Sequence, residues 1–381
     1  MADLANEFPR ISDLAQRAKW RLPHFAWEYV ESGTGAETLI DLNRAALDAV
    51  RMVPRIMQGP TVIDMTTMLF GRAYDAPFGV APIGMTGMIW PEGELMLARM
   101  AARHRIPFTL STVACETPED VGPLTGGMGW FQLYPPKDPA VRDDLIDRAQ
   151  AAGFTTLVVT ADLPAPSMRE RQKRAGIKMP PNPGPRTLAH IGLRPAWVAA
   201  TIRRGMPRFR IISRYAENRS VAALARFMEA QLIDCLDFDY FSAVRDRWSG
   251  PLVLKGLLHA GDVEEAINRG ADAVAVSNHG GRQFDGAPAA IDVLPSIVRQ
   301  VAGRVPVLFD SGIRSGLDIA RAIALGADFV LLGRAFIYGL GALGEAGCDH
   351  VAALLKGDLA NNMKQAGVRI PAELRAVDLK R

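Results

Sequence analysis

The chain has 381 residues, 49% of them apolar and 22% charged, with 35 glycines and 26 prolines spread along it. That is globular composition with ample material for a large core, and it excludes a low-complexity protein. The net charge of +3 hides an asymmetry, because residues 171–216 hold 11 Lys/Arg and no Asp/Glu and leave 33 basic against 41 acidic residues elsewhere; no Lys/Arg stripe marks a nucleic-acid module, so no nucleic-acid partner is expected.

The N-terminus, MADLANEFPRISDLAQRAKW, has no apolar core behind a basic start, and no run of about 18 apolar residues occurs anywhere, so neither a cleaved signal nor a spanning helix is expected. Three cysteines, Cys115, Cys235 and Cys348, are far apart and lack metal-ligand spacing. A reduced, cytoplasmic compartment without a metal site is the expectation. Residues 1–70 read as a helical lead-in. Short β-rich runs come next, at Phe78–Ala81, Pro107–Leu110, Trp130–Leu133, Thr156–Thr160, Pro251–Leu254, Ala273–Val276, Val305–Phe309 and Phe329–Leu332. Helical patterns stand between them at Glu92–His104, Pro139–Ala152, Asp262–Arg269, Ala290–Val301 and Leu317–Leu325, several closed by a glycine. Near-continuously apolar strands alternating with helices predict a parallel sheet covered by helices. Eight such units predict a single α/β domain over 1–381, a (β/α)8 TIM barrel. The basic stretch, rich in proline (Pro180, Pro181, Pro183, Pro185) and carrying Trp197, Phe209 and Tyr215, reads as an insertion after the fourth strand, over about 171–220.

Chemically capable residues stand just after each strand: Gly84, Ser111, Gln132 with Tyr134, Asp162, Lys255, His279 with Arg282, Asp310 with Gly312, and Gly333 with Arg334. Singly, each has an ordinary explanation. A histidine beside two glycines is usually a turn residue, Asp162 could cap a helix, and Lys255 could be a solvated strand end. Their coincidence at one end of successive strands is the signal, because a barrel gathers those ends into one mouth. The loops Asp310-Ser-Gly-Ile-Arg-Ser-Gly316 and Gly333-Arg-Ala335 come after strands seven and eight, where barrels bind phosphate through backbone N–H groups, glycine allowing close approach and arginine adding a charged donor.

With these residues assembled, the chain resembles the FMN-dependent 2-hydroxy-acid oxidoreductases, the family of glycolate oxidase, lactate oxidase and mandelate dehydrogenase. The likeness runs nearly end to end. It rests on Tyr29-Val-Glu-Ser-Gly33, Asn43, Pro54-Arg55, Ala81-Pro-Ile-Gly84, Pro91-Glu-Gly-Glu94, Leu110-Ser-Thr112, Phe131-Gln-Leu-Tyr134, Thr160-Ala-Asp162, Arg169-Glu170, Lys255-Gly256, Ser277-Asn-His-Gly-Gly-Arg282, Asp310-Ser-Gly312 and Leu332-Gly-Arg334. Pro195-Ala-Trp197 and Gly205-Met-Pro207 also match the intervening segment of mandelate dehydrogenase and the membrane-associated lactate dehydrogenases.

The resemblance implies FMN as cofactor and a 2-hydroxy acid as substrate. It implies His279 as the base with Asp162 stabilising its imidazolium, Arg282 and Arg169 on the substrate carboxylate, and Tyr29 and Tyr134 on the carboxylate and 2-hydroxyl. Backbone at Ile83 and Gly84, with Ser111, Gln132, Thr160 and Ser277, would hold the flavin ring, and Lys255 would lie at its N1/C2 edge. Asp310 would take the ribityl chain, and Gly312, Arg314, Gly333 and Arg334 the phosphate. Two departures stand out. Ser167 replaces a glycine common two residues before the arginine, and Val113 stands where glycolate oxidase has a bulky tryptophan, which favours a larger substrate than glycolate. The resemblance also implies a homotetramer and peripheral association with the inner membrane through residues 171–216, for which an active-site lid with a solvated face is the alternative, and quinone as electron acceptor, for which oxygen is the alternative. Gly84 stands where many of the oxidases carry alanine. A flavin-dependent isomerase or a catalytically silent phosphate-binding barrel would share the late glycine loops, without needing both tyrosines, the histidine and two arginines together.

Overall fold

The computed structural model describes residues 3–59, 62–176, 184–218, 220–232 and 236–380; Pro180, Pro181, Pro183 and Cys235 lie outside them. Eight parallel strands close into a barrel: β1 (Phe78–Ile83), β2 (Phe108–Ser111), β3 (Gly129–Leu133), β4 (Thr156–Thr160), β5 (Leu252–Leu257), β6 (Ala273–Val276), β7 (Val307–Phe309) and β8 (Phe329–Leu332). β8 closes the ring on β1 through Val330–Phe78 and Leu332–Val80. The expected strands are all present, with ends shifted by up to three residues.

Period-two alternation explains why these strands read as continuous apolar runs. Val158, Val253, Ala273, Ala275, Leu308 and Leu331 fill the lumen, while their neighbours Leu157, Val159, Leu252, Leu254, Val274, Val276, Val330 and Leu332 pack outward against the helices. The lumen is sealed below by a hairpin, Thr67–Leu69 paired with Arg72–Tyr74, that the expectation of a helical lead-in to residue 70 did not include. Its Leu69 and Tyr74 pack with Trp130 and Phe329 from the starts of β3 and β8, and the Trp130 indole N–H donates to the Tyr74 hydroxyl at 3.1 Å.

The lead-in itself supplies helices α1 (Ile11–Arg21), α2 (His24–Glu31) and α3 (Thr38–Ala49). Around the barrel stand α4 (Gly93–His104), α5 (Pro139–Ala151), α6 (Pro185–Gly192), α7 (Pro195–Arg204), α8 (Val221–Gln231), α9 (Phe238–Arg247), α10 (Ala260–Asn268), α11 (Ala290–Val301), α12 (Gly316–Ala324), α13 (Arg334–Leu343) and the 22-residue α14 (Glu345–Ala366). None of the described helices is long and apolar enough to cross a membrane.

The insertion expected after the fourth strand lies between β4 and β5, and several of its side chains are buried. Trp197 is 3% exposed and its indole N–H donates to the Met88 and Ile89 carbonyls. Phe209, Ile211 and Ile212 are buried, and the Tyr215 hydroxyl donates to Asp144 at 2.5 Å. These aromatic side chains therefore do not face outward. The surface is given instead by Leu188, Leu193, Ile202 and Met206, all largely exposed.

Candidate active site

Strand parity builds the site. Stepping two residues up from each lumen residue gives Ile83 above Ala81, Gln132 above Trp130, Thr160 above Val158, Lys255 above Val253, Ser277 above Ala275, Asp310 above Leu308 and Gly333 above Leu331. One inward layer at the C-terminal ends thus carries seven of the twelve residues expected to hold a cofactor. A cavity of about 510 Å³ opens over this layer. Its walls include Tyr29, Ile83, Gly84, Tyr134, Arg169, Lys255, His279, Arg282, Asp310, Gly312, Arg314, Gly333 and Arg334. Ser111, Gln132, Thr160, Ser277 and Asp162 lie just behind those walls, with Ser111 donating to Gln132 Oε1 at 2.7 Å and Lys255 to Ser277 Oγ at 2.9 Å.

The Ser277–Arg282 loop owes its shape to its glycines. His279, Gly280 and Gly281 have φ of 56°, 65° and 74°, three left-handed residues in succession. That turn points the imidazole back over the barrel, where Nδ1 lies 2.8 Å from Asp162 Oδ1. With Nδ1–H donating to the carboxylate, Nε2 keeps its lone pair toward the cavity. Ser311 braces the loop, its hydroxyl accepting from the N–H groups of Asn278 and Gly280 at 3.1 Å and donating to Asp310. Asn43 of α3 and Asn278 exchange side-chain amide bonds at 2.8 and 3.0 Å.

Burial lowers the His279 pKa and Asp162 opposes that fall, while Lys255 and Arg169 add to it. Burial pushes Asp162 upward, but His279 and Lys255 outweigh it and leave the carboxyl below its ordinary value. For Lys255, burial works against the ammonium, yet Asp310 at 2.9 Å and Asp162 more than restore it. Asp310 is therefore held by Lys255 and Ser311 here rather than standing free. Burial raises Tyr134 to about 12 and raises Tyr29, whose hydroxyl donates to the Gly84 carbonyl at 2.9 Å.

The arginines fall into two kinds. Arg282 donates to the carbonyls of Tyr29 and Ser32, and Arg334 to those of Val30, Ser32 and Gly280, so the C-terminal end of α2 anchors both. Burial, with neighbouring guanidinium groups, depresses Arg282 to about 9 and Arg334 to about 10. Arg169 and Arg334 add to the fall at Arg282, and Arg314 adds to it at Arg334, so each guanidinium has like charge beside it. Arg169 reaches the same cavity, with Nε donating to Ser167 Oγ at 2.7 Å and Nη2 to Gln283 Oε1 at 2.9 Å. The residue that departs from the family pattern thus orients the arginine.

Beside Val113, which the sequence singled out, stand three wall residues that carried no signal of their own, Leu163, Met228 and Leu232. Val113, Leu163, Met228 and Leu232 form an apolar side of the cavity, the last two from α8 and its C-terminal end, whose amphipathic pattern gives no hint of where the helix docks. A Cβ added at Gly84 would lie 2.6 Å from Val113 Cγ2, so the two positions are coupled. Among the described residues, Gln132 Nε2, Thr160 Oγ1 and Asp162 Oδ2 are buried with no hydrogen-bond partner.

A family profile described as FMN-dependent dehydrogenase matches residues 18–381. The chain is 38% identical to L-lactate dehydrogenase of Ectopseudomonas mendocina over 365 residues, covering 95% of this chain and 96% of that one, and 38% identical to L-lactate dehydrogenase of Pseudomonas paraeruginosa over 372 residues, 97% of each. Among solved structures, the monotopic membrane protein (S)-mandelate dehydrogenase superposes with a TM-score of 0.90 at 35% identity, covering 96% of this chain and 97% of that one. Mandelate oxidase superposes at 0.84 with 32% identity over 98% of each chain. A profile that spans the whole barrel, and relatives that share this identity along nearly their full length, place the chain in the FMN-dependent dehydrogenase family.

Proposed function

We propose that the protein oxidises an L-2-hydroxy acid with an apolar side chain to the 2-keto acid. The observation that carries this reading is one cavity wall on which His279 Nε2, backed by Asp162 at 2.8 Å, faces Tyr29, Tyr134, Arg169 and Arg282. A base, two hydroxyls and two guanidinium groups match an α-hydroxy carboxylate group for group.

The residues also fit the family's cofactor. Gln132 Nε2 and Thr160 Oγ1 are buried without partners, as donors awaiting a polar ring edge would be. Ile83, Gly84, Ser111 and Ser277 would complete that ring site, with Lys255 as its fixed positive charge and Asp310 toward the ribityl chain. Gly312, Arg314, Gly333 and Arg334, at the N-terminal ends of α12 and α13, would hold the phosphate. FMN when bound supplies a two-electron acceptor.

In this reading Arg169 and Arg282 bind the substrate carboxylate and orient the carbinol toward His279. Tyr134 donates to the 2-hydroxyl; burial, which holds its pKa near 12, keeps it a donor at neutral pH. His279 Nε2 takes the proton released from the carbinol group, and Asp162 stabilises the resulting imidazolium. Val113, Leu163, Met228 and Leu232 accept the side chain, which suits groups larger than that of glycolate. The named relatives act on lactate and mandelate, and both fall in this class.

Quinone is the proposed acceptor and the inner membrane's cytoplasmic face the proposed location. Support comes from the monotopic mandelate dehydrogenase and from the exposed apolar residues of α6 and α7 amid basic charge. Likeness to a mandelate oxidase supports oxygen as the second reading. Homotetrameric assembly rests on family likeness, and light scattering measures it.

The test is anaerobic. Yellow protein bleached by L-lactate or (S)-mandelate and recoloured faster by a quinone analogue than by air is the expected result. No bleaching by any 2-hydroxy acid overturns the activity, and rapid peroxide-forming turnover in air replaces quinone with oxygen.

A further inference from the structure

A second cavity, of about 260 Å³, shares no lining residue with the one over the barrel and lies between the start of α2, the Glu170–Arg174 turn and α6. We infer that it is a binding site for a phosphate group, with Arg174 and Arg186 as its principal ligands. Three guanidinium groups line it, those of Arg171, Arg174 and Arg186, together with the imidazoles of His24 and His190, whose ring centroids are 5.4 Å apart, and the Thr187 side chain.

The charges do not cancel. Glu28 is the one acid in the wall, and Arg171 already engages it at 2.7 Å while also reaching Glu37 at 2.6 Å. Arg174 and Arg186 have no carboxylate partner among the described residues, and no acid occurs anywhere in residues 171–216 to provide one. Two unneutralised planar forks beside a hydroxyl and two imidazoles suit an anion with several acceptor oxygens around one centre, which phosphate offers and a single carboxylate does not. The volume sits below the roughly 300–1,000 Å³ of a drug-sized pocket, so a small head enters rather than a nucleotide.

Two sources present that chemistry, a phospholipid headgroup and free phosphate. The headgroup source rests on the membrane reading above, since Leu188 of α6 and Ile202 of α7 expose apolar surface on the same segment; the phosphate site itself does not.

The experiment uses holoenzyme in excess FMN, so that the flavin phosphate site is filled. Inorganic phosphate is titrated calorimetrically at matched ionic strength, and phosphatidylglycerol vesicles are sedimented with the same protein. Arg174→Gln/Arg186→Gln is compared with Arg203→Gln/Arg208→Gln, which removes equal charge from positions of the same segment outside the cavity. Wild type and the outside-position variant are expected to bind phosphate, and the cavity variant to lose it. Loss of two surface charges alone lowers vesicle affinity on the order of thirty-fold; the cavity variant should lose about ten-fold beyond that if the headgroup is the source. Equal vesicle losses in the two variants, with phosphate binding lost only from the cavity variant, assign the site to free phosphate. Absence of phosphate binding to wild type, or its persistence in the cavity variant, overturns the inference. Wild type that binds phosphate but no vesicles sinks the membrane reading and leaves the site standing.

Discussion

At His279 two opposed influences act on one imidazole. Burial lowers its pKa below 6.5 and Asp162 pulls it back up. A base must be neutral to accept a proton, so kcat/KM should rise with pH through this lowered pKa and then stay level across neutrality. Asp162→Asn removes the raising influence, which moves the acid limb to still lower pH, while the plateau falls because the imidazolium loses its counter-charge. A limb that stayed put or moved upward would show that Asp162 is not coupled to the base. His279→Gln should retain flavin and lose about 10² to 10⁴ in anaerobic reduction rate; near-normal reduction would remove His279 from the role. Arg169 offers a second test, because its partners Ser167 and Gln283 are both neutral and leave its charge available. Gln283 in turn donates to the Asp162 carbonyl at 3.2 Å, tying the arginine to the acid that backs the base. Ser167→Gly removes one bond worth about 1–2 kcal/mol, so KM for the hydroxy acid should rise about 5- to 30-fold with kcat within about two-fold. Unchanged kinetics would mean that Arg169 is placed by its backbone alone.

Among elements, the Ser277–Arg282 loop is the one whose conformation most constrains its sequence. At Gly280, φ is 65° and an added Cβ would come within 2.9 Å of Arg334 Nη1, an atom already bonded to the Gly280 carbonyl. Gly280→Ala should therefore combine left-handed strain of about 1–2 kcal/mol with displacement of Arg334, lowering the melting temperature and weakening FMN affinity together. A variant with normal FMN titration would separate Arg334 from the phosphate. This loop was legible in the sequence because its residue types are unusual for a strand end, and the eight strands were legible because burial on both faces leaves continuous apolar runs. The Thr67–Tyr74 hairpin was not, since two three-residue strands carry too little alternation to stand out. Met228 and Leu232 were hidden for another reason: an amphipathic helix declares that it has a buried face but not what that face meets. Trp197 was ambiguous in the same way, because an aromatic in a basic, proline-rich stretch suits a membrane boundary as well as it suits the core, and only docking against Met88 and Ile89 decides.

For the whole molecule, that burial changes what would hold it to a membrane. With Trp197, Phe209 and Ile212 committed inward, the outward apolar surface among the described residues of the segment is aliphatic: Leu193 is 66% exposed, Ile202 78% and Met206 69%. Attraction of the 11 basic residues to an anionic surface is screened as salt rises, the Debye length falling from about 10 Å at 0.1 M to about 3 Å at 1 M. Burial of aliphatic side chains at the headgroup boundary is not screened. Binding to phosphatidylglycerol vesicles should therefore weaken, yet persist, at 1 M salt. Leu193→Ser/Ile202→Ser keeps every charge and removes two side chains worth roughly 1.5–3 kcal/mol each when fully buried, so it should leave low-salt binding measurable and abolish the high-salt remainder. Because neither residue lines the cavity over the barrel, anaerobic reduction by the hydroxy acid should be untouched in this variant, while reoxidation by a vesicle-borne quinone should slow. If wild type already releases completely at 1 M salt, the contact is electrostatic only and the aliphatic surface serves something other than lipid. If the variant instead reoxidises as fast as wild type from vesicles, electrons leave by a face other than the one that carries α6 and α7.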